Sequence, residues 1–350
     1  MNTAELLDEQ RVRQRLERVL RERTGAEATV GALKRFPVGY SWLTYGFEAS
    51  WRDAAGPQKR ELILRLGPPN GLFAPYSAEP QFAVLKAIEG SGVPVPKAYW
   101  WSDDKSILGA PFFISERNAG SAPVPWVSAN SSGFEDSYRL NIGSQFVSAL
   151  AALHRCEWQG KAEFQAEGLT VKNAALRQIE FWEKARARWA LKPYPMLHWA
   201  LRWLREHLPV APRLSFVHGD YRLGNFLEQD GRITAILDWE LVHLGDPHED
   251  LGWAFLPQYM GGSGLICRLL SKEDFVAQYE REAGFRVQLE SLQFYLVFSL
   301  VKLALTHIAA VRCYEDGHFN DMRMPAMGTQ IAPVLRQISK VLSRTTPSND

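Results

Sequence analysis

Cysteine is scarce: Cys156, Cys267 and Cys313 are the only three in 350 residues. Their number is odd and their spacing matches no zinc site, which argues against a disulfide scaffold or zinc finger and leads us to expect a reduced, cytoplasmic setting. Net charge is nearly absent, at +1 from 40 basic and 39 acidic residues. With no long basic run, a nucleic-acid-binding surface is not expected. The one long apolar stretch, 292–311, is interrupted by Gln293, Lys302, Thr306 and His307. These are expensive in lipid and suit a buried helix with one wetter edge, so no membrane span is expected. The first residues, charged from Glu5 to Arg23, lack the apolar core of a signal peptide. Internal repeats are absent too. What is present is 46% hydrophobic residues, enough to bury a large core in one large domain or two lobes.

The first third alternates in the manner of strands. Leu6, Leu7, Leu16, Val19 and Leu20 recur at helical spacing and predict an amphipathic helix, after which 33–39 and 43–51 read as strands around Gly39-Tyr40-Ser41. Gly56-Pro57 marks a turn, and 61–66 returns with Leu62, Leu64 and Leu66 on one face and Ile63 and Arg65 on the other. Ser77 reads as an N-cap with Pro80 in the first turn of a helix running to Gly90. Strands are expected again at 97–101 and 111–115, separated by the turn Ser102-Asp103-Asp104-Lys105. Residues 118–133, rich in Ala, Ser, Gly and Pro, read either as a mobile loop or as the natural boundary between a strand-rich segment at 1–117 and a mainly helical one at 118–350.

In the second segment the informative stretch is 215–240. Phe216 and Val217 lead into His218-Gly219-Asp220, with Asn225 after it, and two apolar runs, 226–228 and 233–237, flank Asp230-Gly231, a strong hairpin signal. The hairpin carries Asp238 back beside the loop. Alone, Asp220 would be an ordinary loop aspartate and Asp238 a strand-end acid; their joint placement with Asn225 carries the reading.

His218 to Asn225, Ile236-Leu237-Asp238-Trp239-Glu240 and Gly245-Asp246-Pro247 resemble the motifs of the aminoglycoside phosphotransferase and choline kinase family. The one departure within this stretch, Gly224 where relatives often carry Asp, touches only local loop geometry. The resemblance implies an α+β, protein-kinase-like two-lobe fold: a small N-terminal antiparallel sheet with one key helix, and a larger, mainly helical C-terminal lobe. It implies an ATP- and Mg2+-dependent phosphotransferase acting on a hydroxyl of a small molecule. Asp220 would orient the acceptor hydroxyl and finally accept its proton, Arg222 would neutralise the transferring phosphoryl group, and Asn225 and Asp238 would bind magnesium. Gly39 and Ser41 would cover the phosphates, Ile63 would roof the adenine, and backbone near Glu116 would meet its edge. Arg65 falls where kinases place a phosphate-binding lysine, a real change in chemistry, with a surface strand arginine as the alternative. Its helix partner is either Glu79 or, by the usual alignment, Gln81; Glu79 also reads as a favourable acid at a helix N-terminus.

The wording Phe-Val-His-Gly-Asp-Tyr-Arg and Ile-Leu-Asp-Trp-Glu resembles the bacterial relatives of a kinase-like domain that, in animals, is fused to acyl-CoA dehydrogenases and acts on hydroxyacyl-CoA. An aminoglycoside kinase would want an acidic acceptor wall, whereas the last hundred residues mix Glu273, Asp274, Glu280 and Glu282 with Arg268, Lys272, Arg281 and Arg286. An antibiotic kinase and a nucleotide-binding pseudokinase stay open as alternatives. His154 reads as structural, as does Asp250 one turn after a helix start at Asp246-Pro247. Trp182, Trp189, Trp199 and Trp203 read either as core or as the wall of an acceptor pocket.

Overall fold

A computed structural model describes residues 3–36, 39, 41–123, 132–161, 166–317 and 321–343. The chain divides into two units, one of Met1–Lys86, Pro96–Asn118 and Cys313–Met324, the other of Ala87–Val95, Ala119–Arg312 and Pro325–Asp350. The single cut expected after residue 117 thus becomes an interleaved division.

The first unit is a sheet with a helix across one face. Helices α1 (Thr3–Leu6) and α2 (Glu9–Thr24) precede strands β1 (Ala28–Val30), β2 (Lys34–Phe36), β3 (Leu43–Asp53) and β4 (Gly56–Leu66). Then come α3 (Glu79–Ile88), β5 (Ala98–Ser102), α4 (Lys105–Leu108) and β6 (Phe112–Glu116). The expected single N-terminal helix is two, because the Asp8 side chain accepts the Arg11 N–H and starts a new helix there. The six strands run in the order β1-β3-β4-β6-β5 with β2 also on β3, and every pairing is antiparallel. Leu62, Leu64 and Leu66 are wholly buried and pack with Leu16, Leu20 and Phe112, as the alternation along β4 predicts. That buried face leaves Ile63 and Arg65 half-buried on the other.

Several local expectations shift. The β3–β4 connection is Ala54-Ala55, and Gly56 and Pro57 are already paired with Asp53 and Arg52, so the sheet extends past the expected turn. Ser77 does not cap α3 alone. Asp103 accepts from the Ala78 N–H at 2.7 Å and from the Ser77 hydroxyl at 2.5 Å, an anchor from the far end of β5 that a local pattern does not contain. The expected turn at 102–105 leads into α4, capped by Asp104.

The second unit is mainly helical. Its elements are α5 (Asp136–Arg155), α6 (Ala174–Trp189), α7 (Pro195–Glu206), β7 (Ser215–Val217), β8 (Phe226–Gln229), β9 (Arg232–Ile236) and β10 (His243–Gly245). They continue with α8 (His248–Ala254), α9 (Pro257–Met260), α10 (Lys272–Ala283), α11 (Leu289–Glu315), α12 (Arg323–Met327) and α13 (Ile331–Ser343). Helix α5 packs on α10, β7 and β9, while β7 pairs with β10 and β8 with β9. Helix α11 is long and apolar enough to cross a membrane, yet 83% of its most apolar window is buried inside the protein. The close approach of α8 to α11 depends on Gly252: a Cβ there would lie 2.6 Å from the backbone of Tyr295.

Candidate active site

Strand β7 delivers a loop whose backbone is held from behind. The Asp250 carboxylate accepts the N–H groups of His218 and Gly219 at 2.7 and 2.8 Å and a His154 ring nitrogen at 3.1 Å. Burial pushes this carboxyl up, but the His154 and His218 interactions outweigh it and hold it below its usual value. Gly219 has φ +83°, and a Cβ would meet the Leu241 carbonyl at 2.7 Å, so the turn requires glycine twice over. His218 is buried, and burial pulls its pKa down. The neutral ring suits its bonds: Nδ1 accepts the Asp220 N–H at 3.1 Å and Nε2 donates to the Leu237 carbonyl at 2.8 Å. This brace ties the loop to the hairpin strand that ends at Asp238. Tyr221, whose hydroxyl donates to the Phe146 carbonyl at 2.7 Å and whose ring lies 4.3 Å from that of Phe146, pins the next residue into α5.

Asp220 is surrounded by donors. Oδ1 accepts Arg222 Nε at 3.0 Å and the Trp253 indole N–H at 2.6 Å, while Oδ2 accepts Asn225 Nδ2 at 2.6 Å. Two donors saturate Oδ1. One lone pair of Oδ2 stays in hand for a further proton donor. Burial opposes the charge on Arg222, but Asp220 outweighs it and raises its pKa; the guanidinium also lies 5.6 Å from the centre of the Tyr259 ring. Asn225 turns Oδ1 away from Asp220 because Nδ2 faces it. The Leu237 N–H donates to the Asn225 carbonyl at 2.8 Å, and Phe226 pairs with Ile236, so the hairpin brings Asp238 next to Asn225. The hairpin closes through Asp230 (φ 52°) and Gly231 (φ 74°), both left-handed as the Asp-Gly signal requires. Asp238 itself is left-handed at φ 65°, ψ 56°, a conformation that Trp239 supports with a buried ring and an indole bond to the Ile236 carbonyl at 3.0 Å.

In the first unit the structure gathers only some of the expected residues. The Arg65 guanidinium lies beside a pair of rings, 5.8 Å from the centre of Trp42 and 5.9 Å from that of Phe113, which themselves meet edge-on with centres 5.9 Å apart. Ile63 shares its face. Ser41 is buried, and Gly39 is exposed without a left-handed backbone, so its local geometry does not demand glycine; Tyr40 lies outside the described residues. Glu79 is exposed on α3, whereas Gln81 is 2% exposed with Oε1 lacking a hydrogen-bond partner among the described residues. Helix periodicity sets this difference in exposure, since the two positions face different sides. The Glu116 and Arg117 N–H groups already donate to the Lys97 and Glu61 carbonyls, at 2.8 and 3.0 Å.

The four tryptophans do not form one wall. Trp182 is core, Trp199 is 40% exposed, and Trp203 stacks on His207 with ring centres 4.3 Å apart. His154 is a buried structural residue bonded to Tyr279 and Asp250. Sequence reasoning missed Trp253, Glu249 and Lys302. The one available signal was a lysine inside an apolar helix, and it sits not on a wetter edge but at 1% exposure.

Fold and site define a kinase-like phosphotransferase architecture, in which a loop aspartate and asparagine and a following hairpin aspartate share one surface. The chain belongs to the phosphotransferase enzyme family, whose sequence profile matches residues 33–294. It is 30% identical over 260 residues to acyl-CoA dehydrogenase family member 10 of Mus musculus, covering 70% of this chain and 24% of that protein. The chain spans between about a quarter and two fifths of the curated relatives it matches (24% to 38%). Among solved structures it is similar to a candidate aminoglycoside phosphotransferase of Ralstonia eutropha JMP134, with TM-score 0.72 and 24% identity over 95% of this chain and 98% of that one. It also shares its fold with a thermostable mutant of aminoglycoside phosphotransferase APH(4)-Ia in ternary complex with AMP-PNP and hygromycin B, with TM-score 0.57 and 16% identity over 95% and 99% of the two chains.

Proposed function

We propose that the chain transfers the γ-phosphoryl group of ATP to a hydroxyl of a small molecule with an apolar body, a hydroxyacyl compound being the favoured class. The observation that carries this reading is the setting of Asp220, whose Oδ1 is saturated by Arg222 and Trp253 and whose Oδ2 keeps one lone pair. An acceptor hydroxyl donating to Oδ2 is oriented by it. As the hydroxyl oxygen bonds to the γ-phosphorus and the bond to the bridging oxygen of ADP breaks, its proton passes to Oδ2. Protonation weakens the Arg222 ion pair and frees the guanidinium for the phosphoryl oxygens. Transfer is direct and in line, as nothing among the described residues of the site suggests a phospho-enzyme residue.

Asn225 Oδ1 and the Asp238 carboxylate are the groups that would hold magnesium, which typically takes one or two carboxylates and fills its remaining positions with phosphate oxygens and water. When bound, the ion neutralises negative charge on the phosphates. Arg65, beside the Trp42–Phe113 ring pair, is proposed for a phosphate oxygen and Ile63 for the adenine face. With both nearby N–H groups engaged, Glu116 is left to act through its other backbone atoms. A reducing, cytoplasmic setting is proposed with this, supported by three cysteines that form no disulfide.

For the acceptor, support comes from relatives named as acyl-CoA dehydrogenase family members. The charges on and beside α10 add to it, because Glu280 is paired with Arg286 rather than joining an acidic wall. The hygromycin B complex of a fold neighbour keeps the aminoglycoside alternative specific enough to test. Thermal stability should rise with millimolar MgATP. No shift with MgATP or MgGTP overturns the kinase reading, and a shift without turnover on any hydroxylated metabolite favours a pseudokinase. A higher kcat/KM for kanamycin than for hydroxyacyl compounds restores the antibiotic reading.

A further inference from the structure

Lys302 lies in a 27-residue apolar helix, α11, between buried Leu300 and Val301 on one side and Leu303 and Ala304 on the other. An ammonium removed from water needs a counter-charge and acceptors for its three protons. Lys302 Nζ donates to Glu249 Oε1 at 3.0 Å and to the Gly219 carbonyl at 2.5 Å. It also lies 5.0 Å from the centre of the Trp253 ring and 5.6 Å from that of Trp182. Burial pushes the Glu249 carboxyl up, but Lys302 and His243 outweigh it and hold it below its usual value.

Two of these contacts converge on Asp220. The Gly219 carbonyl belongs to the planar peptide group that joins Gly219 to Asp220, so a bond to that oxygen fixes the plane from which Asp220 projects. The Trp253 indole N–H donates to Asp220 Oδ1 at 2.6 Å, and a cation on the indole face draws electron density from the ring and strengthens that donor. Glu249 and Trp253 stand one turn apart on α8, and Gly252 between them lets α8 reach the α11 backbone.

We infer that Lys302 and Trp253 form a buried positioning unit for Asp220, which fixes the main chain at Gly219 and saturates Oδ1 so that Oδ2 alone faces the acceptor hydroxyl. The inference rests on the phosphotransferase reading of Asp220. Neither residue touches substrate; both act through the aspartate. A merely structural ion pair would be replaceable by apolar side chains without effect on turnover.

The test uses the full chain with three variants. Trp253→Phe keeps an aromatic ring near Lys302 and removes the N–H with the rest of the five-membered ring; Lys302→Met is combined with Glu249→Gln so that Glu249 is not left as a carboxylate without its ammonium; Lys302→Arg keeps the charge. In 15N-labelled protein, the Trp253 indole resonance, identified by its loss in Trp253→Phe, should lie downfield and move upfield in Asp220→Ala and in Lys302→Met/Glu249→Gln. With MgATP and a hydroxyacyl acceptor, kcat should fall roughly 10–100-fold in Trp253→Phe, the loss of one hydrogen bond to a charged group, with KM for ATP within about twofold. Combining Trp253→Phe with the charge-free pair should be clearly less than additive, and Lys302→Arg should recover part of kcat. Wild-type kcat in Trp253→Phe, or an indole resonance unmoved by loss of Lys302, overturns the inference. Absence of turnover in the wild type would overturn the proposed function instead, and the indole shift would still decide whether Lys302 is coupled to Asp220.

Discussion

Asn225 Nδ2 donates to Asp220 Oδ2 at 2.6 Å and to the Asp220 carbonyl at 2.9 Å, so the amide orientation of one candidate metal ligand is set by acceptors on the candidate base. The usual Asp→Asn replacement is therefore not a neutral probe here. Asp220→Asn would set two amide nitrogens against each other or flip one of them, and a flipped Asn225 presents nitrogen where a metal needs oxygen. Asp220→Ala keeps the bond to the carbonyl. We expect Asp220→Ala to lose about 10²–10⁴-fold in kcat with little change in MgATP affinity, and Asp220→Asn to lose both. Calorimetry with MgATP checks this; equal affinities for the two variants would show that Asn225 is not oriented in this way.

Asp250 holds two loop N–H groups and His154 with no exposure to solvent. Asp250→Ala leaves these donors buried without an acceptor and should cost about 3–5 kcal/mol in a denaturant titration. Its folded-state pKa is depressed, so its contribution is present above the unfolded value of about 3.9 and is lost as pH falls through the folded value. The gap between wild type and variant should therefore be constant at neutral pH and close only below about pH 4.

Gly252→Ala sets two effects against each other. Helix propensity favours alanine by about 1 kcal/mol, but the added Cβ would lie 2.6 Å from the Tyr295 backbone, which cannot rotate aside. Overpacking of this kind costs about 1–3 kcal/mol. We expect net destabilisation together with a lower kcat, since spreading α8 from α11 pulls Glu249 and Trp253 from Lys302. A variant as stable and active as wild type would show that the helices part without disturbing the loop.

His307 is buried on α11, its Nδ1 has no hydrogen-bond partner among the described residues, and burial pulls its pKa down to about 4. The fold favours the neutral ring. Stability from this residue is therefore full above the unfolded pKa of about 6.5 and declines as pH falls toward 4. His307→Leu should remove that slope, a difference on the order of 2–3 kcal/mol between pH 7 and 4. His243 works in the opposite sense, since Glu249 raises its pKa against burial, so wild type and His307→Leu must be compared at each pH. Parallel stability curves would refute the assignment.

The parts of this protein legible in the sequence are those written in short-range patterns. Alternation placed Leu62, Leu64 and Leu66 in the core and Ile63 and Arg65 on the other face. Asp230-Gly231 specified the hairpin because few other residues tolerate two left-handed positions in succession. The spacing from His218 through Asp238 then set the loop and its three polar side chains beside one another. Where a local pattern had competitors it failed: Gly56-Pro57 looked like a turn, but β3 and β4 pair past it, and Ser77 looked like a cap that Asp103 in fact completes.

What the tertiary structure alone decided is which residues satisfy the buried charges. Lys302 stands 83 residues from Gly219 and 53 from Glu249, and Trp253 stands 33 from Asp220. No periodicity or turn chemistry spans such separations. A lysine inside an apolar helix signals only that some partner must exist, because a buried ammonium without one is too costly to keep. The partner is named only when packing at Gly252 brings α8 against α11 and leaves that ammonium beneath the loop.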